Sequence, residues 1–277
     1  SRTALALHSA GAHVVVVDLR RDLKGELVKA VRAAGIKIMS GSAVTIAAGT
    51  QRIARVEISP VNEGASAVLD DPIHMDCDLL AMSGGLSPAV HLHSQARGKL
   101  GWDERLLCFK PTTVHEASFS AGAGNGVFDT AKAMADGLRA GTAAATAAGF
   151  AIDAGDAPEV DAPAQSWRPL AAWKITNGQG EGEGPKAFVD FQNDVTASDV
   201  KLAVREGYQS VEHVKRYTTL GMATDQGKTS NINGLALLAE ALGAEIPQVG
   251  TTTFRPPYTP ISMGAITGSA KGALFKA

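Results

Sequence analysis

Thr113–Gly141 reads TVHEASFSAGAGNGVFDTAKAMADGLRAG. It opens with alternating polar and apolar residues suited to a short strand and turns on Gly122, Gly124 and Gly126. It then continues into an Ala-rich helix that begins near Asp129 or Thr130. A strand, a glycine turn and a helix N-terminus together form a seat for a dinucleotide diphosphate. Backbone N–H groups point outward there, and the helix dipole favours negative charge. Glycine has no Cβ to hold a phosphate away from the backbone. A plain tight turn would look the same, because buried turns are often rich in glycine.

Working outward, the 277 residues suggest about two domains. The chain is 45% hydrophobic, enough for a sizeable core, and 19% charged, somewhat below the usual ~25%. A formal net charge of −2 and the lack of a basic block argue against nucleic acid as a partner. The two cysteines, Cys77 and Cys108, are far apart and form no CxxC pair. That fits a reducing compartment and excludes a cysteine-only iron–sulfur or zinc site within the chain. No apolar run reaches membrane-spanning length and no leader opens the sequence, so a cytoplasmic protein without membrane contact is expected. Ser1 stands where a methionine would, and RTALALHSAGAHVVVVDL reads as a helix running into a strand. A nucleotide fold places a strand and a Gly-rich turn before such a helix, so an internal piece of a longer polypeptide is expected.

Residues 2–10 carry apolar side chains at helical spacing and end at Gly11. His13–Asp18 is a Val run of the kind that forms a buried parallel strand. Asp18 ends it where a dinucleotide fold places its ribose-binding acid; without the preceding Gly turn, an ordinary loop acid beside Arg20 and Arg21 is favoured. A second helix is expected over Asp22–Ala34, closed by Gly35, then a strand over Ile36–Ser40. Ser42–Val61 and Ala65–Ile73 alternate like an antiparallel meander. Cys77–Met82, CDLLAM, reads as a further buried strand ended by Gly84 and Gly85.

This order resembles the nucleotide domain of the pyridine nucleotide–disulfide reductase superfamily, whose D-L-L-x-x-x-x-G-x-x-P ending matches Asp78 through Gly85 to Pro88. The resemblance implies an α/β chain with an incomplete three-layer, disulfide-reductase-like nucleotide-binding fold. Residues 1–112 would be a Rossmann-like domain truncated at its N-terminus. Residues 113–150 would supply the closing strand, turn and helix of an outer dinucleotide-binding domain.

His91 and His93, in HLHSQ, would face the same way on a strand, but no third ligand of metal-site spacing lies nearby, so a solvent-facing or interface pair is favoured. Residues 151–187 are rich in Ala, Pro, Gly, Asp and Glu and lack periodicity. They read as a surface linker, with Trp167 and Trp173 as possible anchors. Order returns from Phe188. Thr196 or Ser198 caps a helix ending at Gly207, a second spans Ser210–Leu220, and a third spans Ser230–Leu242, capped by Ser230 or Asn231. This small all-α module covers 188–250, and the proline-rich tail 251–277 reads as extended.

The segment Phe188–Asn233, FVDFQNDVTASDVKLAVREGYQSVEHVKRYTTLGMATDQGKTSNIN, resembles the small helical iron–sulfur module of amino-acid dehydrogenase alpha subunits. Those keep a C-x-C before V-T and a G-M-x-x-C-Q-G-x-x-C after the second helix. Here Asp190, Gln192, Asp225 and Ser230 occupy the four cysteine positions, and such ligands cannot replace four thiolates around a cluster. A cluster-less version of the module is implied. Together with HLHSQARGKLGW upstream and FRPPYTPISMGAITG downstream, it resembles the alpha subunits of heterotetrameric sarcosine oxidases over essentially the whole chain.

That resemblance implies NAD in this subunit, FAD and covalent FMN in a beta subunit with the FMN at the alpha–beta interface, and gamma and delta partners. A tetrahydrofolate-binding domain would follow residue 277. The implied reaction oxidises sarcosine to an imine at FAD, passes electrons to FMN and reduces oxygen to hydrogen peroxide. The one-carbon unit leaves as formaldehyde or on tetrahydrofolate. The family's A-G-A-x-x-G-x-x-D-T falls on Ala121–Thr130 and implies NAD-facing roles for Ala123, Phe128 and Thr130 beside Gly122 and Gly124. The turn chemistry supports Ala123 and Thr130 independently; Phe128 reads equally as a core aromatic. Thr218–Ser230 is expected to face the beta-subunit FMN, with Thr218, Lys228 and Ser230 as interface residues, or else to be a solvated helix face.

No Ser/His/Asp or Cys/His pairing and no close carboxylate pair is evident, so no catalytic residue and no metal ligand is expected in the chain. An electron-transfer subunit of an amino-acid dehydrogenase and a non-catalytic scaffold remain as the competing classes.

Overall fold

The computed structural model describes residues 2–69, 71–162, 169–175, 184–256 and 258–270. The chain divides into two compact units, Ser1–Leu86 with Ser166–Lys186, and Ser87–Gln165 with Ala187–Ala277. Trp167 lies outside the described residues.

In the first unit, helix α1 (Arg2–Ser9) leads into strand β1 (Val15–Asp18), and helix α2 (Glu26–Ala33) into strand β2 (Lys37–Ser40). The two strands pair in parallel, Val15 opposite Lys37 through Asp18 opposite Ser40. Ala4, Val31 and Ile36 form the core between these helices and strands. Helix α2 starts four residues later than its pattern predicts because Gly25, at φ +111°, sits at its N-cap. Arg21, just upstream, extends its guanidinium to the Val61 carbonyl.

Strands β3 (Ser42–Gly49), β4 (Ile53–Pro60) and β5 (Ile73–Asp76) form the expected antiparallel meander. The third strand begins only at Ile73; upstream of it Val68 forms an isolated bridge with Val61. On this sheet Ala43, Val61 and Ala65 are buried, with Ala172 and Ile175 packed against them. The segment around 172–175 is therefore anchored as well as connecting.

One expectation fails here. Residues 77–82 form no strand, and Leu79 and Met82 are 64% and 75% exposed. A buried parallel strand needs a neighbouring strand to complete its hydrogen-bond ladder. The parallel sheet formed by the described residues has only β1 and β2, so CDLLAM has no ladder to join.

The second unit opens with helix α3 (His91–Gln95), followed by the antiparallel hairpin of β6 (Lys99–Asp103) and β7 (Cys108–Thr113). HLHSQ is thus a helix and not a strand. The hairpin packs into the core of the helical module: Phe109 is buried with Val195, Val200, Val214 and Leu237, and Leu100 and Trp102 lie against them. Residues 87–112 therefore share a core with residues 188–250. Residues 114–121 form no strand, because no described segment runs alongside to pair with them. A single 3-10 turn, Gly122–Asn125, precedes the long helix α4 (Thr130–Ala147).

Strands β8 (Phe188–Asp190) and β9 (Val195–Thr196) make a short hairpin that feeds α5 (Ala197–Arg205). Thr196 and Asp199 form a reciprocal capping box at its start. Helix α6 (Val211–Thr218) ends at Thr219, left-handed at φ +64°. Helix α7 (Asn231–Leu242) is the module's central helix, with Gly234 through Ala239 all buried. Helices α8 (Ile246–Val249) and α9 (Met263–Thr267) are the last α-helices among the described residues. The tail is therefore not extended throughout, since Ser262 caps α9 by accepting from the Ala265 N–H at 3.2 Å. Among the described residues no helix is long and apolar enough to cross a membrane.

Candidate functional site

The glycine turn is built by left-handed residues at both ends, Gly122 at φ +58° and Gly126 at φ +80°. A Cβ on Gly126 would approach Leu106 Cδ1 at 3.1 Å, and its left-handed backbone favours glycine there. The space over Gly124 is open, with nothing within 4 Å of a Cβ placed there. The Gly126 N–H donates to the Ala123 carbonyl (3.1 Å) and the Val127 N–H to the Gly122 carbonyl (2.9 Å), which closes the turn. In a 3-10 turn each N–H bonds three residues back, so the donors without a partner within this one are those of Gly122 and Ala123.

Asp129 caps α4 by accepting from the Lys132 N–H at 3.1 Å. Ala123 and Thr130 are exposed, whereas Phe128 is half-buried. The candidate dinucleotide residues Gly122, Ala123, Gly124, Phe128 and Thr130 therefore lie along one short path from the turn to the helix start.

Sequence reading missed Asp136. It lies on α4, and its side chain is only 12% exposed. Its Oδ2 accepts from the Gly122 N–H (2.9 Å) and the Asn125 amide (3.2 Å). Its Oδ1 accepts from Arg139 Nε (3.1 Å) and Nη2 (2.6 Å). Burial works against its charge, yet the bonds from Arg139, Asn125 and the Gly122 N–H hold it below the usual carboxylate range. Only the fold-back of the turn onto the helix brings residues fourteen positions apart together, so no local pattern marks Asp136.

Asp18, the alternative ribose acid, is engaged by Arg20. Nε donates to Oδ1 at 2.9 Å and Nη2 to Oδ2 at 2.7 Å. Burial opposes the charge of Asp18, but the Arg20 guanidinium holds its carboxyl below the ordinary value.

A second cluster surrounds the loop between α6 and α7. Asp190, 2% exposed, accepts from the N–H groups of Gln192 (2.9 Å) and Gly221 (2.8 Å) and from the Ser230 hydroxyl (3.4 Å). The Thr224 hydroxyl donates to Gln192 Oε1 at 2.8 Å. Asp225 accepts from the Gly227 N–H (3.0 Å) and the Thr229 hydroxyl (2.6 Å), and these bonds lower its pKa against the opposing effect of burial. Asp190 is thus tied to Gln192 and Ser230, and Gln192 to Thr224, while the Asp225 carboxylate is bound within the α6–α7 loop.

Ser230, 1% exposed, faces Asp190 inside the module, so it neither caps α7 with its hydroxyl nor reaches the surface. Asn231 points its amide at Thr252, 3.2 Å away, and lies beneath Gly221 and Gly227. A Cβ on Gly227 would fall 2.1 Å from Asn231 Oδ1, and Gly227 has φ +74°. Thr218 donates to the Val214 carbonyl at 2.8 Å and accepts from the Leu220 N–H at 3.2 Å.

Lys228 Nζ donates to the carbonyls of Tyr258 (2.8 Å) and Asp225 (3.3 Å) and sits 4.5 Å from the Tyr258 ring centroid. His91 stacks on Phe254 with centroids 3.8 Å apart. It is 3% exposed, which replaces the surface-pair expectation with a core role. Its Nε2 donates to the Gln226 carbonyl at 3.4 Å, and its Nδ1 has no partner among the described residues. His93, also buried, donates from Nε2 to the Lys99 carbonyl at 3.0 Å. No group of three His, Cys, Asp or Glu side chains is arranged to hold a metal among the described residues. Burial pushes the Cys108 thiol up to about 11, which makes it unreactive.

The α/β fold is shared with L-proline dehydrogenase from P. horikoshii, at a TM-score of 0.58 and 18% identity, covering 94% of this chain and 52% of that one. At that identity the likeness is one of fold alone. The sequence comparisons are narrower. Residues 184–270 match the sarcosine oxidase A3 domain. The sarcosine oxidase alpha subunits of Corynebacterium strains P-1 and U-96 are each 40% identical, over 97% of this chain. The chain belongs to the family of sarcosine oxidase alpha subunits, and it spans 28% of the length of these two relatives.

Proposed function

We propose that this chain is the dinucleotide-binding and flavin-proximal part of a sarcosine oxidase alpha subunit. The complex would convert sarcosine to glycine with hydrogen peroxide, releasing formaldehyde or loading the one-carbon unit on tetrahydrofolate. The observation that carries the reading is the 40% identity to such subunits across nearly the whole chain.

NAD would be held by Gly122, Ala123, Gly124, Phe128 and Thr130. Open space over Gly124, the exposed Ala123 and Thr130, and the start of an 18-residue helix support that assignment. Phe128 would supply an apolar wall. FAD and covalent FMN, carried by a beta subunit, would supply the redox chemistry. This chain's residues bind and orient; none is assigned a proton transfer.

The flavin-side face would be formed by the exposed part of 217–228. Tyr217 and Met222 are 44% and 54% exposed there, and Phe191 is 69% exposed on the hairpin that Gln192 ties to Thr224. In this reading Lys228 acts through its hold on Tyr258, Thr218 stabilises the end of α6, and Ser230 supports the face from within. The helical module would keep the outline of an iron–sulfur domain, with hydrogen bonds among Asp190, Gln192, Asp225, Ser230 and their neighbours where a cluster would sit.

The test is cofactor release by denaturation of the purified complex, identification by mass spectrometry, and an assay of sarcosine-dependent peroxide. NAD and flavins with peroxide are expected. Iron, or electron delivery to an acceptor without peroxide, would assign the protein to the amino-acid dehydrogenase class instead.

A further inference from the structure

We infer that Asp136 is the positioning residue of the glycine turn, stapling its first and last residues to α4 so that Ala123 is presented outward to a nucleotide. The inference rests on the dinucleotide reading above.

The geometry divides the carboxylate into two halves. Oδ2 receives the Gly122 N–H at 2.9 Å and the Asn125 amide at 3.2 Å, so one oxygen holds both ends of the four-residue turn. Oδ1 is held from the other side by Arg139, whose side chain is 59% exposed while that of Asp136 is 12% exposed. Helix α4 supplies the floor, since a Cβ on Gly122 would lie 3.7 Å from that of Ala133, one helical turn before Asp136.

With Gly122 and Asn125 directed inward, the residues between them face away from the helix, and Ala123 is the exposed one. A charged acceptor forms stronger bonds to backbone N–H groups than a neutral one, and at this burial the bonds hold one geometry. Its charge also stands behind the turn, so the inward Gly122 N–H is not available to a ligand phosphate. The outward donor left is that of Ala123, with the open space over Gly124 beside it.

The holoprotein provides the test, through nucleotide retained on purification and rebinding of NAD. Asp136→Ala is expected to weaken NAD binding at least tenfold with the protein still folded. Asp136→Asn keeps an acceptor for Gly122 and Asn125 and is expected to stay within about threefold of wild type. Arg139→Ala, on the far oxygen, is expected to do the same. A merely structural carboxylate would not show rescue by asparagine at unchanged thermal stability. Asp136→Ala with wild-type affinity overturns the inference.

Amide exchange keeps the inference separable from the dinucleotide reading. If wild-type protein binds no NAD, that reading fails on its own. The staple is then judged by the Gly122 amide, which should exchange at least tenfold faster in Asp136→Ala; unchanged exchange removes it.

Discussion

His91 shows how a single ring couples three segments of the second unit. It lies on α3, stacks on Phe254 of the tail and donates to the carbonyl of Gln226 in the α6–α7 loop. Burial depresses its pKa. The Gln226 carbonyl opposes that, nearby Lys228 adds to it, and Asp225 pulls the other way. The folded protein therefore holds the ring neutral, while the unfolded chain protonates near the ordinary value of about 6.5. The unfolded state binds more protons over that range, so stability rises with pH. The His91 contribution is fully present above about pH 6.5 and is lost as pH falls through the depressed folded value. The drop in melting temperature between pH 7.5 and pH 5 should shrink in His91→Phe, which keeps the stacked ring and removes both the titration and the unpartnered Nδ1. An equal drop in the variant would assign the pH dependence to other groups.

At the scale of elements, the helical module is held by a few local devices around one apolar helix. Helix α5 begins where Thr196 accepts from the Asp199 N–H and Asp199 accepts from both the Thr196 N–H (2.8 Å) and its hydroxyl (2.7 Å). The same element buries Val200 and Ala203 against Leu237 and Leu238 of α7. Replacing Thr196 with alanine removes the hydroxyl half of the box and should cost about 1 kcal/mol. Denaturant titration should show this as a lower midpoint with an unchanged slope. A change in slope would instead mean that the module no longer unfolds as a unit. The loop after α6 depends on the opposite property, the absence of side chains. Gly221 and Gly227 lie over Asn231 with no room for a Cβ, and both have positive φ. That loop therefore needs glycine for space and for backbone conformation at once.

At the scale of the whole molecule, residues 151–162 have no regular secondary structure and Glu159 is exposed. Such a segment can adapt to a protease active site without breaking helix or ladder hydrogen bonds. Glutamyl endopeptidase should therefore cut first at Glu159, ahead of Glu57 in β4 and Glu240 in α7, as read by mass spectrometry of early digests. Because Ala172 and Ile175 pack against Ala43, Val61 and Ala65, the two products should co-elute on gel filtration. Separation of the products under native conditions would show that this packing does not hold the nicked chain together.

By itself the sequence determined the elements whose signals are local. The Val run of β1, the amphipathic α2 and the three helices after Phe188 appear close to where their periodicity and caps place them. It also determined the family, through motifs that survive as letters whatever their environment. The tertiary structure alone decided the rest. CDLLAM and residues 114–121 have strand composition but form no strand, since a strand exists only where another completes its hydrogen bonds. His91 and His93 read as surface residues until α3 is seen packed inward. Asp136 reaches the glycine turn only because α4 folds back beneath it, and Ser230 meets Asp190 across forty positions of chain. Periodicity and capping depend on neighbours a few residues away and can be read in order along the chain. Ladder pairing, burial and long-range hydrogen bonds depend on what folding brings alongside, which no local pattern records.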